Sequence, residues 1–255
     1  MMQDYSSEFS GRKVFITGGS RGIGAAIAQR LLDGGAQVAV SARSKTEDIP
    51  SGAIFIKGDI STAEGANVLA KEVLETLGGI DILINNAGSA RVHLAGSAGI
   101  PDEEWLDALN LNFLSAVRTT TTLLPALKES SNGSIVNISS GGPNAFMAPL
   151  LHYGAAKAAL NSYSLGLAAE LAPKIRVNVV TPGMVITPGA DEIRKVFTDA
   201  MGVPEGAMGG MVPLGRMGNA SEIAEVVALL TSDRGNWITG QNYFVDGGMG
   251  NIGRK

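Results

Sequence analysis

The sequence predicts an α/β fold, a doubly wound parallel sheet of about seven strands in a single domain, and three observations predict it. Short runs rich in Val, Ile and Phe recur along the chain and read as strands buried on both faces. Helical patterns lie between them, and this alternation builds βαβ units whose right-handed crossovers cover both faces of a parallel sheet. A glycine-rich turn joins the first strand to the first helix, at the sheet edge where this fold class places its ligands.

Residues 1–10 carry Asp4 and Glu8 and lack an apolar core of the kind a secretory leader needs, so they read as a flexible arm ahead of a single domain over 11–255. KVFIT (13–17) is the first strand, followed by a helix over 23–33. QVAVSA (37–42) and AIFIKG (53–58) are the second and third strands, and a helix over 62–77 leads to DILIN (81–85). A long helix over 102–128 precedes SIVNIS (134–139), and another over 149–172 precedes IRVNVV (175–180). The last pair is a helix over 219–232 and the strand NYFVD (242–246). Several of these helices open on Ser, Thr, Asn or Asp, the residues that cap free N–H groups. Between them, 184–218 is rich in Gly, Met and Pro and reads as an insertion.

Composition excludes several classes of function. A net charge of −4 and a pI near 5.3 provide no basic field for nucleic acid or an anionic membrane. The absence of cysteine rules out disulfides, thiol nucleophiles and Cys-ligated zinc. No run approaches the ~18 apolar residues of a spanning helix, and a cytoplasmic location is expected. The 34 glycines in 255 residues are roughly twice the usual share, yet they fall mainly at turns and in the late insertion, which speaks against a collagen-like or low-complexity chain.

TGGSRGIG (17–24) has the composition of a phosphate-binding turn. Gly18 permits the bend, Gly22 lets the backbone approach a pyrophosphate, and Gly24 lets helix and strand pack closely, while N–H groups at the helix start face the anion. Ser20, Arg21 and Ile23 complete this set of expected contacts. The second strand ends in Ser41, Ala42 and Arg43 with no acid, so Arg43 and Arg21 are placed to neutralise a ribose 2′ phosphate, and NADP(H) is the expected cofactor. Asp59, beside Ile60 at the end of the third strand, either accepts from an adenine amino group or caps the helix that follows. NNAG (85–88) ends the fourth strand, with Asn86, Ala87 and Gly88 expected along the cofactor.

Tyr153 and Lys157 are four apart and share one helix face. Reducing a carbonyl creates an alkoxide that must be protonated, and a phenol of pKa ~10 needs help to take part near neutral pH. An ammonium beside it favours the phenolate, so Lys157 is expected to lower the Tyr153 pKa. Ser140 is expected to hydrogen-bond the reacting oxygen. His93 and His152 are the only histidines; neither has an evident carboxylate partner by spacing, and no metal is expected.

From residue 11 to about 248 the chain resembles the short-chain dehydrogenase/reductase family. The resemblance rests on the turn Thr17 to Gly24, on Asn85 to Gly88, Ser140, Tyr153 and Lys157, Pro182 and Gly183, PLGRMG from Pro213 to Gly218, and VDGG from Val245 to Gly248. It implies that Ser140 rather than Ser139 is catalytic, and that Asn112 rather than Asn110 holds a water that relays protons to Lys157. It also implies that Pro182, Gly183 and Thr187 contact the nicotinamide end and that about 184–211 forms a lid. The lid residues Met184, Val185, Phe197, Met201, Met208 and Met211, with Phe146, Met147, Leu150 and Leu151, suggest an apolar, adaptable pocket. The implied function is NADPH-dependent, reversible reduction of a small-molecule ketone to a secondary alcohol, with 3-oxoacyl-thioester reduction or a non-catalytic dinucleotide-binding regulator as alternatives. The resemblance further implies a homotetramer built from the two long helices and the final helix and strand.

Overall fold

In the computed structural model, residues 5–141, 148–202 and 204–250 are described. The strands are β1 (Lys13–Thr17), β2 (Gln37–Ala42), β3 (Ile54–Lys57), β4 (Ile82–Asn85), β5 (Gly133–Ile138), β6 (Ile175–Pro182), the two-residue β7 (Val185–Ile186) and β8 (Gly218–Asn219), and β9 (Asn242–Val245). Seven of them form one sheet in the order β3-β2-β1-β4-β5-β6-β9. Every pairing in it is parallel. The direction of winding reverses between β1 and β4, so the turns that follow these two strands diverge and open a crevice at the carboxyl edge.

The sheet is sandwiched because successive residues of a strand face opposite sides. Val14 and Ile16 enter one core and Phe15 the other; Val38 and Val40 are divided in the same way from Ala39, and Ile82 and Ile84 from Leu83. One core is closed by α1 (Gly22–Asp33), through Ile27, Ala28 and Leu31. The opposite core is closed by α2 (Ala63–Leu77), through Leu69, Ala70 and Val73. Three more helices follow in the chain: α3 (Asp102–Leu109), α4 (Ser115–Glu129) and α5 (Leu151–Leu171). Leu123 and Leu127 of α4 and Leu167, Ala168 and Leu171 of α5 join α2 in its core. After α6 (Pro188–Met201), the last helix α7 (Ala220–Thr231) packs Ile223, Ala224 and Val227 beside α1.

Three elements differ from the sequence expectation. The helix expected over 102–128 is divided by one wide π turn, Asn110–Leu114, which separates α3 from α4. Such turns insert a residue without ending the helix, so apolar periodicity does not reveal them. The insertion contains a helix, α6: Thr187 caps it by accepting from the Ala190 N–H, Pro188 starts it, and Gly202 at φ 64° ends it. The stretch expected to be a flexible arm is packed in its described part, 5–10. Phe9 is fully buried in the α1 core, and Glu8 forms ion pairs of 2.7 Å with both Arg30 and Arg234. Among the described residues, no helix is long and apolar enough to cross a membrane.

Candidate active site

A cleft of about 960 Å³ runs along the carboxyl edge of the sheet. Its walls include every sequence-predicted site residue except Asn112.

At one end, Gly18 has φ 66°, and a Cβ there would lie 2.8 Å from the Ala87 Cα. A Cβ on Gly24 would lie 2.3 Å from the Gly18 carbonyl oxygen. Any side chain at either position would fill the turn, so the cradle exists because these residues have none. The Asn86 amide donates to the Thr17 and Gly18 carbonyls, while Thr17 Oγ1 accepts from the Asn86 and Ala87 N–H groups. This ties the turn after β1 to the end of β4. Arg21 at the N-cap of α1 makes no side-chain cap, which leaves the first-turn N–H groups to an anion.

Arg21 and Arg43 are both exposed at this end. Ser20 is buried, its carbonyl accepting from Thr46 Oγ1, and Ile23 and Ile60 add apolar wall. Ser41, Ser44 and Thr46 line the same end and were not picked out from the sequence. The run of hydroxyls around Arg43 in SARSKT was their signal. Asp59 accepts from the Ser61 N–H at 2.9 Å. The Ser61 backbone and side-chain hydrogen bonds hold its carboxyl below the usual range, with Arg43 adding to the effect. The cap of α2 is Thr62, not Asp59.

At the other end β5 stops at Ile138 and the next two serines diverge. Both line the cleft, but Ser139 is buried and its hydroxyl has no hydrogen-bond partner among the described residues, whereas Ser140 bonds Tyr153. Tyr153 and Lys157 lie one turn apart on α5. The Lys157 ammonium is 5.9 Å from the Tyr153 ring centre and donates to the Ile138 carbonyl at 2.9 Å. Burial pushes the Tyr153 phenol above its ordinary pKa, and the Ser140 hydrogen bond works against this only in part. Burial also brings Lys157 down to about 8. The sequence expectation of a lowered phenol is thereby corrected: burial disfavours both charged forms, and for the phenol it outweighs the Ser140 hydrogen bond.

Asn112 is buried behind the wall. Its side chain accepts from the Ser89 N–H at 3.1 Å and donates to the Ser89 and Ala108 carbonyls. Asn110 is instead held by Arg118. The π turn aims one asparagine at the loop after β4 and the other away from it. Gly88, next to Ser89, lies between Asn112 and Lys157.

Pro182 and Gly183 end β6 and line the cleft, as does Thr187 at the start of α6. Thr187 also reaches across to the glycine turn, its Cβ 3.3 Å from where a Cβ on Gly22 would stand. Of the expected apolar pocket, Met184, Val185, Phe197, Met208 and Leu150 line the cleft. Leu151 is exposed and, like Met211, is not among the cleft walls; Phe146 and Met147 lie outside the described residues, and the Met201 side chain is not described. Glu192, Arg194 and Arg91 give the pocket a polar side that the sequence reading missed.

The family profile described as "Enoyl-(Acyl carrier protein) reductase" matches residues 18–250. The chain belongs to the short-chain dehydrogenase/reductase family. This family member is 37% identical over 254 residues to an uncharacterised oxidoreductase of Methylorubrum extorquens, covering 95% of this chain and 99% of the relative. It is 35% identical over 246 residues to a 3-oxoacyl-[acyl-carrier-protein] reductase of Haemophilus influenzae, covering 94% and 98%. Among solved structures, a variant of actinorhodin polyketide ketoreductase with NADPH superposes at a TM-score of 0.87 with 33% identity, covering 94% of this chain and 98% of the other. In this short-chain dehydrogenase/reductase, the glycine turn and the Ser140, Tyr153 and Lys157 group open into one continuous cleft.

Proposed function

We propose that the cleft binds NADP(H) and that the chain reduces the ketone of a small-molecule substrate to a secondary alcohol, reversibly. The observation that carries this reading is the Ser140 to Tyr153 hydrogen bond, with Lys157 one turn away, in the same cleft as an uncapped helix start and a turn that tolerates no Cβ. The residues present fit a dinucleotide. Gly18, Gly22 and Gly24 cradle the pyrophosphate, Arg21 and Arg43 meet the 2′ phosphate, and Asn86 to Gly88 with Pro182, Gly183 and Thr187 border the nicotinamide end. The relatives' names support the same reading: two are reductases acting on carbonyls, and one was solved with NADPH.

When bound, the reduced cofactor supplies the hydride. The chain's own residues hold the oxygen and manage the proton. The Ser140 hydroxyl and the Tyr153 phenol converge on the carbonyl oxygen, and Tyr153 gives up its proton as negative charge develops there. The raised pKa keeps Tyr153 in its donating, neutral form. The Lys157 ammonium then stabilises the phenolate that remains. Asn112 holds the loop that carries Gly88 and Ser89 against this group. Met184, Phe197 and Met208 favour an apolar substrate body.

A panel of ketones assayed with NADPH and, in parallel, NADH is expected to show turnover that is faster with NADPH. Tyr153→Phe should lower kcat by about 10²- to 10⁴-fold while NADPH still binds. A variant that keeps most of its turnover would refute the proton-donor role. Including a 3-oxoacyl thioester tests the second reading, which the Haemophilus influenzae relative favours.

We also propose a homotetramer formed through the α4 and α5 side and the α7 and β9 end. Leu165 on α5 is 52% exposed, and Trp237, just before β9, is fully exposed. Burying these side chains between subunits would remove their apolar surface from water.

A further inference from the structure

We propose that His93, Glu104 and His152 form a binding site for one divalent transition-metal ion of the zinc class on the outer wall of the cleft. The three residues come from separate elements: the loop after β4, the first turn of α3 and the first turn of α5. One ligand atom from each lies within 4.8 Å of the other two, and His93 Nε2 is 3.8 Å from Glu104 Oε2. A tetrahedral zinc with bonds of ~2.0–2.1 Å holds its ligand atoms about 3.3 Å apart. Binding would draw the three side chains together. The sequence suggested no carboxylate for either histidine; the fold supplies one.

The second observation concerns the nitrogens. Among the described residues, His93 Nε2 and His152 Nδ1 are both buried with no hydrogen-bond partner, and His152 is only 2% exposed. A polar atom left in this state has lost its water and gained nothing in return, so it calls for an explanation. The rings do not satisfy each other: they meet edge to face at 79° with centres 5.2 Å apart. Trp105 packs against His152 on another side, with ring centres 6.2 Å apart. Arg91 holds Glu104 Oε1, which leaves Oε2 turned toward His93.

The donor set decides the class of ion. Two imidazoles and one carboxylate suit zinc and its neighbours rather than calcium or magnesium, and three protein ligands leave a fourth position for water. The location suggests what the ion does. His152 immediately precedes Tyr153, the His93 N–H bonds the Pro149 carbonyl at 2.9 Å, and Ala90, Arg91 and Val92 line the cleft. An ion here would fasten the loop that walls the cleft to the helix that carries Tyr153. None of the three residues is needed for the proposed reduction, so the site stands or falls separately from it.

The test is calorimetric titration of ZnCl₂ into the full chain after dialysis against a chelator. One ion per chain should bind, and the Tm should rise with zinc because the unfolded chain lacks the site. His93→Gln and Glu104→Gln should each weaken binding by more than about tenfold. Circular dichroism spectra matching the parent would show that both variants are folded. Co²⁺ should give the visible absorption of a tetrahedral site in the parent and not in the variants. No saturable binding up to millimolar zinc, or parent-like binding in both folded variants, would overturn the proposal.

Discussion

Lys157 is 3% exposed, and its ammonium has given up most of its hydration. Burial penalises the charged form, so the group loses its proton near pH 8 rather than at 10.5. In the proposed reduction the ammonium must be present to receive the phenolate's charge. The prediction is that kcat/KM for ketone reduction falls as pH rises through about 8, because this ratio reports the free enzyme. Titration of Lys157 would not produce such a fall by unfolding the protein. Between about 8 and 10.5 the unfolded lysine binds the proton that the folded one has lost, so this group makes stability rise with pH across that window. An alkaline profile without a fall would remove Lys157 from the charge balance. Residues of this kind were legible because helix spacing puts Tyr153 and Lys157 together whatever the rest of the fold does. His93, Glu104 and His152 were not, because only tertiary packing brings them within reach of one another. The raised phenol pKa was also out of reach, since the depth of burial cannot be read from spacing.

At the level of elements, the segment 5–10 packs at the end of the sheet where α1 and α7 lie side by side. Phe9 fills a place beneath α1, and its N–H bonds the Gly34 carbonyl at 2.7 Å. Burial works to raise the Glu8 pKa, but hydrogen bonds from Arg30, Arg234 and Ser232 together outweigh it and hold the carboxyl below its ordinary value. The stability this adds is present above the unfolded carboxyl's pKa and disappears as pH falls through the folded one. Phe9→Ala should destabilise the protein by about 3–5 kcal/mol in urea unfolding, the range for truncating a buried aromatic. A loss below about 0.5 kcal/mol, the level of an ordinary surface change, would mean that the segment is not part of the core. The strands could be placed from the sequence because runs buried on both faces stand out. The segment 5–10 could not, because one phenylalanine among polar residues has no periodicity to detect. The α6 helix had its markers in Thr187, Pro188 and Asp191, but the glycines and methionines around it hid them.

For the whole molecule, alternating βαβ units and a glycine turn after the first strand made the fold class and the edge that carries the site legible, whereas the strand order and its point of reversal depend on how the units pack. Assembly could not be read in this way, since it depends on which surfaces stay apolar after folding. If Leu165 and Trp237 lie in subunit contacts, light scattering should give a mass about four times 26.2 kDa. A mass near that of one chain would count against the tetramer.

The residue-by-residue division of each strand between two cores has a cost in tolerance. One residue added to or removed from β1 would send Val14 and Ile16 to the side built for Phe15, and both interiors would fail together. Changes of length are therefore confined to the connections. The longest of these, 184–218, also contributes Met184, Phe197 and Met208 to the cleft wall, so the wall can be rewritten in sequence while the sheet beneath stays as it is.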